Sequence, residues 1–115
     1  MFRDEAKKQI ESELNRAQGF RTEGFEGRAR VCARRAAGAA IREYLTLTHQ
    51  FDQPVSAFDL IKILPTLPGI PRPAVEAAQN LQTRVDESFQ LPEETDLIHQ
   101  TRLLVAALEQ ALFQS

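Results

Sequence analysis

The sequence predicts an all-α fold: an antiparallel up-and-down bundle of four to five helices, in a single domain spanning residues 1–115. Three observations carry this expectation. Apolar residues recur at intervals of three and four along most of the chain, the period of a helix with one buried face. No segment alternates apolar and polar residues as a half-buried strand does. The breaks between periodic segments are short and rich in glycine or proline, so successive helices should fold back as antiparallel neighbours.

The first helix is written in Phe2, Ala6, Ile10, Leu14 and Ala17, with Lys7, Lys8, Glu11 and Glu13 on the other faces. Gly19 is placed to end it as a left-handed cap. A second, longer helix is expected from Thr22 or Glu23 to Thr48. At 100° per residue, Phe25, Ala29, Ala33, Ala36, Ala37, Ala40, Tyr44 and Leu47 share one broad face made mostly of alanine. Such a stripe lets neighbouring helices approach closely. Gly38, within Ala36-Ala37-Gly38-Ala39-Ala40, costs about 1 kcal/mol relative to alanine in a helix interior, which predicts a close contact there.

Gln50 to Pro54 read as a connection. Ser56 opens a capping pattern with Asp59 three residues on, and a short helix follows through Phe58, Leu60, Ile61 and Leu64. Pro65, Pro68, Gly69, Pro71 and Pro73 then break the chain. Pro73 can serve as the first residue of the next helix, which uses Val75, Ala78, Leu81 and Val85. Asp86 to Leu91 form another loop. Pro92, Glu93, Glu94 and Asp96 suit a helix N-terminus, where acids favour the positive end of the dipole. Leu97, Ile98, Leu104, Val105, Leu108 and Leu112 carry the final apolar face.

Composition excludes several classes. At 115 residues the chain can bury a core without disulfides or metals. With 43% hydrophobic and 26% charged residues it is not a disordered tail. The single cysteine, Cys32, excludes an intramolecular disulfide and a cysteine-built zinc site; beside the alanine face it reads as a small packing residue. No run approaches the ~20 apolar residues of a membrane span, and Met1 to Ile10 has no apolar signal core. These features predict a cytoplasmic protein with no membrane partner, no metal and no cofactor. Charge is uneven. Residues 1–48 carry ten Lys/Arg against seven Asp/Glu, and residues 49–115 four against nine, for a net charge of −2. That asymmetry fits a nucleic-acid face, or basic helices packed beside acidic ones.

Two constellations could carry chemistry. Arg28, Arg35 and Arg42 are seven residues apart and form a stripe opposite the alanine face, with Arg30 and Arg34 in a second stripe to one side. Between them lie Val31, Gly38 and Leu45, also seven apart. This narrow strip with a central glycine reads as a helix-packing seam between two subunits. The arginine stripe itself reads as a phosphate-binding track or as a solvated, salt-bridged face with Glu26 and Glu43 as partners. No aromatic residue interleaves with these arginines, which weakens single-strand binding. The second constellation is Arg42 with His49, seven apart on a continuing helix. An arginine to stabilise phosphate and a histidine to transfer a proton make a minimal ribonuclease pair. His49 equally reads as an exposed cation at a helix end. His99, among Leu97, Ile98 and Leu103, has no second ligand nearby and reads as a surface or interface residue.

Read end to end, the chain resembles the HEPN family (higher eukaryotes and prokaryotes nucleotide-binding domain). Residues 14–45, LNRAQGFRTEGFEGRARVCARRAAGAAIREYL, look like that family's first hairpin, a glycine-containing turn leading into a long alanine-rich helix. SAFDLIKILPTLP, from Ser56, looks like its third segment. LQTRVDE, Leu81 to Glu87, looks like its "L…sRYPd" stretch, and the helix from Glu93 fits its closing helix. The resemblance implies an up-and-down bundle that commonly dimerises and often pairs with a minimal nucleotidyltransferase. It also implies that some relatives are RNA-cleaving toxins, whose motif is an arginine, four to six residues, then a histidine near the start of the last long helix. Here fourteen residues separate Arg84 from His99, and Val85 and Asp86 replace the aromatic and proline. The in-range pair, Arg42 and His49, lies at the end of the second helix, with Glu43 following the arginine.

The expectation is therefore a non-catalytic HEPN-like interaction module, homodimeric through Val31, Gly38 and Leu45, with a nucleotidyltransferase as candidate partner. The alternatives are a metal-independent ribonuclease using Arg42 and His49, and a nucleic-acid binder using Arg28, Arg35 and Arg42.

Overall fold

Two helices joined by a three-residue turn form the base of the molecule: α1 (Asp4–Thr22) and α2 (Glu26–Leu47). The computed structural model describes residues 1–83 and 96–114, and adds α3 (Ala57–Ile63), a 3-10 turn (Leu64–Thr66), α4 (Arg72–Leu81) and α5 (Leu97–Gln114). Among the described residues there is no strand. No helix among them is long and apolar enough to cross a membrane. Val85, the loop from Asp86 to Leu91, and the helix start at Pro92, Glu93 and Glu94 lie outside the described residues, as does Arg84.

The α1–α2 turn closes on Gly24, not on Gly19 as expected. Gly24 holds φ +88, its N–H donates to the Arg21 carbonyl, and the Phe25 N–H donates to the Phe20 carbonyl. This is the paired closure that a left-handed residue permits. The helix continues past Gly19 because the extra turn secures two side chains. Phe20 packs on the core, and Arg21 pairs with Glu26 and with Asp96, each at 2.9 Å. Those contacts outweigh the modest cost of a helical glycine.

The periodic faces are buried as the sequence requires. Ile10, Leu14 and Ala17 of α1 meet the alanines of α2, and the same core takes in Leu60 and Ile61 of α3. It continues through Ala74, Ala77, Ala78 and Leu81 of α4 to Leu97, Leu104 and Leu108 of α5. Each fully buried leucine contributes roughly 1.5–3 kcal/mol of apolar burial. Phe25 is the exception on the alanine face: it is 47% exposed at the turn.

Helix α3 begins where Ser56 accepts a 3.0 Å hydrogen bond from the Asp59 N–H, the expected cap. Its first residue rests on Gly38. A Cβ at Gly38 would lie 2.6 Å from the Ala57 Cβ and 2.8 Å from its Cα. The close contact predicted at Gly38 is thus made within the chain. This corrects the proposed intersubunit seam. Gly38 is covered by Ala57, Leu45 is 3% exposed in the core, and Val31 alone faces outward, at 47%.

Helices α4 and α5 form the second hairpin, tied at the Asn80–Gln100 side chains (3.1 Å). Arg72 opens α4 and Pro73 follows at its second position, a place that tolerates a missing N–H. At the other end, Arg34 of α2 donates to the carbonyls of Leu81 and Thr83, and its guanidinium lies over the Phe58 ring at 5.7 Å. A cation on the last carbonyls suits a helix C-terminus. Asp96 caps α5 by accepting the His99 N–H at 3.1 Å. The Thr101 hydroxyl, fully buried, donates to the Ala33 carbonyl at 3.0 Å. Asp96 beside Arg21 and Thr101 beside Ala33 set α5 along α2 in the same direction.

Candidate functional site

The outer surfaces of α1 and α2 enclose a groove in two parts that share Arg35. One part is a hollow of about 380 Å³ near the α1–α2 turn, lined by Arg16, Phe20, Gly27, Arg28, Val31, Cys32 and Arg35. Among the described residues it holds three arginines and no carboxylate. The other is a cleft of about 670 Å³ toward the start of α1. It combines Arg3, Arg35 and Arg42 with Asp4, Glu5, Glu13 and Glu43, roofed by Val55 and Ala57.

The arginine stripe is exposed at Arg28, Arg35 and Arg42, but its members differ. The Arg28 guanidinium lies 5.8 Å above the centroid of Phe20 and 5.0 Å above that of Phe25. The fold thus supplies the aromatic neighbours that the sequence spacing had not shown. Arg35 makes no hydrogen bond or ion pair among the described residues. Arg42 turns toward the chain itself, donating to the carbonyls of Val55 (2.7 Å) and Pro54 (3.4 Å). The carboxylates expected to pair with this stripe are engaged elsewhere. Glu26 binds Arg21, and Glu43 binds Arg3, whose backbone N–H (2.7 Å) and guanidinium (2.6 Å) both reach it. Glu43 is itself buried. The hydrogen bonds from Arg3 hold its carboxyl below the usual glutamate range against the opposing effect of burial, and they raise Arg3 in turn.

Arg42 and His49 are not brought into one cleft. Helix α2 ends at Leu47, and His49 adopts φ 62 in a left-handed cap. Its N–H donates to the Thr46 carbonyl, and the Gln50 N–H to the Leu45 carbonyl. That reversal takes His49 off the helical register that would have aligned it with Arg42. Its ring is exposed and stands edge-on to Phe51 at 6.1 Å. His99 is likewise exposed, and among the described residues no group of three or more His, Cys, Asp or Glu side chains is arranged to hold a metal ion.

Glu13 was placed among the solvent-facing positions and is the residue the sequence reading missed. One carboxylate oxygen pairs with Arg16 at 3.1 Å, and the other is buried. The signal was its spacing, three from Ile10 and four from Ala17, which puts it at the margin of the buried stripe. Cys32 lies close by. Burial first, then the charge of Glu13, pushes its thiol above the usual value, which suits a packing residue and not a nucleophile.

No family model matches the chain, and neither a curated protein nor a solved structure shows a significant match to it.

Proposed function

We propose that the chain is a non-catalytic, HEPN-like interaction module whose partner docks on the hollow at Arg16, Arg28 and Arg35. The observation that carries this is the makeup of that hollow: among the described residues it has three arginines, Phe20, exposed Val31 and no carboxylate, with exposed Phe25 beside Arg28. Arginine beside aromatic and aliphatic surface is the composition of a protein-contact centre, and it fits an acidic face. A minimal nucleotidyltransferase, suggested by the resemblance, is the first partner to test, and self-association to a homodimer is the second.

A nucleic-acid track along Arg28, Arg35 and Arg42 is less favoured. A polyanion following it would meet Asp4, Glu5, Glu13 and Glu43 beside Arg42, whose own guanidinium already serves the loop carbonyls. The separation of Arg42 from His49 leaves the ribonuclease reading without a convergent pair in one chain.

The test is a titration against a purified minimal nucleotidyltransferase, with the mass of the free chain read by light scattering. Reversing both Arg28→Glu and Arg35→Glu should weaken association by at least about ten-fold. Association that ignores the reversal overturns the docking surface. Tight RNA binding that falls steeply with salt and is lost in the same variant would replace the protein partner with nucleic acid. Induced expression should leave bacterial growth unaffected. Growth arrest relieved by both Arg42→Ala and His49→Ala would instead establish cleavage.

A further inference from the structure

We infer that the outer face of α5 is an interaction surface separate from the hollow, and that its partner is the same face of a second copy of this chain, laid antiparallel. His99, Leu103, Ala106, Gln110 and Phe113 are exposed at alternating steps of four and three residues, so they form one straight stripe. Thr101, which bonds to Ala33, and Gln100, which bonds to Asn80, lie on other faces, turned toward α2 and α4. Two members of the stripe are large and apolar: Leu103 is 43% exposed and Phe113 74%. Scattered apolar residues on a surface are ordinary, but a stripe at this spacing is the seam of a paired helix. The charge of the helix agrees. Of Asp, Glu, Lys and Arg, the 18 residues of α5 hold only Arg102 and Glu109, while the 19 of α1 hold eight. Depletion of charge marks the centre of an interface.

The two charges select the partner and its direction. Arg102 and Glu109 flank the stripe on one side, and neither makes a hydrogen bond or an ion pair among the described residues. No opposite charge stands three or four residues from either of them. They are seven residues apart, about 10 Å along the axis. A second α5 laid antiparallel, with the two-fold axis near Val105, brings each Arg102 beside the other copy's Glu109. In the same register Leu103 packs on the other copy's Ala106, and His99 faces Gln110 at either end of the seam. Phe113 then lies against the start of the other α5. A parallel pair would instead set Arg102 beside Ala107 and Glu109 beside Gln114, with no charge matched. The seam from His99 to Phe113 is about 21 Å long, which places the pair among the smaller, weaker interfaces. It shares no residue with the hollow, so pairing through α5 presents two hollows on one assembly.

The test is the mass of the intact chain by sedimentation equilibrium, from about 10 μM to about 1 mM. Mass should rise from 13.0 kDa toward twice that value across this range. Leu103→Glu should weaken the association at least about ten-fold. Arg102→Glu alone and Glu109→Arg alone should each do the same, because the two-fold axis sets like charges against each other twice, about ten-fold in all. The double variant Arg102→Glu, Glu109→Arg rebuilds both pairs and should return the association to within about three-fold of the original. A single variant that had merely misfolded would not be rescued in this way. A one-chain mass at about 1 mM, association untouched by Leu103→Glu, or a double variant as weak as the single ones would each overturn the pairing. Reversing Arg28 and Arg35 should leave this association unchanged, and exchanging Arg102 and Glu109 should leave the nucleotidyltransferase titration unchanged, so the two surfaces fail separately.

Discussion

One stripe of arginines on α2 serves two regions in two ways. In the hollow near the α1–α2 turn, Arg28 lies over aromatic rings and Arg35 has no hydrogen bond or ion pair among the described residues, so their charge faces outward. In the cleft at the other end, Arg42 holds the carbonyls of the segment entering α3, and Arg3 is clasped by Glu43. Residue type and spacing are the same. The difference comes from what is laid on top: Ala57 covers Gly38 in the cleft, and Val31 in the hollow stays 47% exposed. A periodic stripe therefore defines a face, and the next segment of chain decides whether that face is structure or surface.

The comparison breaks most severely at Gly38. Gly38→Ala drives a methyl into Ala57 and should destabilise the fold by about 2–3 kcal/mol, the upper range for overpacking, read by denaturant unfolding. Ala57→Gly in the same chain should recover part of that loss, because the pair is in direct contact. A full recovery of stability with Arg42 released would show that the covering segment alone separates the cleft from the hollow.

Acid should loosen the cleft before the hollow. Glu43 has its carboxyl lowered in the folded state, so its contribution to stability is complete above the unfolded glutamate value, roughly 4.3, and is lost as pH falls through the lower folded value. Unfolding followed against pH should show this loss, and Glu43→Gln should flatten that part of the profile while lowering stability at neutral pH. Asp96 titrates with the same sign: burial raises it, but Arg21 and the His99 N–H outweigh burial. The double variant Glu43→Gln, Asp96→Asn should therefore have the flattest profile.

Two smaller effects sharpen the contrast. His49→Gly removes a side chain from a left-handed cap and should stabilise by about 1 kcal/mol, seen as a higher Tm. Arg28→Glu, at an exposed position, should change stability by no more than about 0.5 kcal/mol while weakening partner association. A large loss of stability in that variant would move Arg28 from the surface into the fold.

The helical faces were legible because burial imposes a period the sequence must obey. Ile10, Leu14, Ala33, Ala36, Leu104 and Leu108 are buried as their spacing requires, and Ser56 with Asp59 announces the start of α3. What escaped was set by partners distant in sequence. Gly19 and Gly24 are equally able to cap a helix, and the choice falls to Arg21, which reaches Asp96 75 residues away. Glu43 was matched to its own helix, yet its partner, Arg3, is 40 residues earlier. Val31, Gly38 and Leu45 share a helical spacing, but periodicity cannot say whether the atoms that cover Gly38 come from another chain or, as here, from Ala57. Arg42 and His49 were aligned on a helix that ends two residues before the histidine.

Arg34 gives the molecule a joint. Its guanidinium belongs to α2, lies over Phe58 of α3, and holds the carbonyls of Leu81 and Thr83 at the end of α4. A lysine there would keep the positive charge but not the planar fork, so it could not serve two carbonyls and a ring together. In hydrogen-exchange terms, Arg34→Lys should let the amides at the end of α4 exchange faster while those in the middle of α2 stay protected. The α4–α5 hairpin would then open as a unit from an α1–α2 hairpin that remains folded.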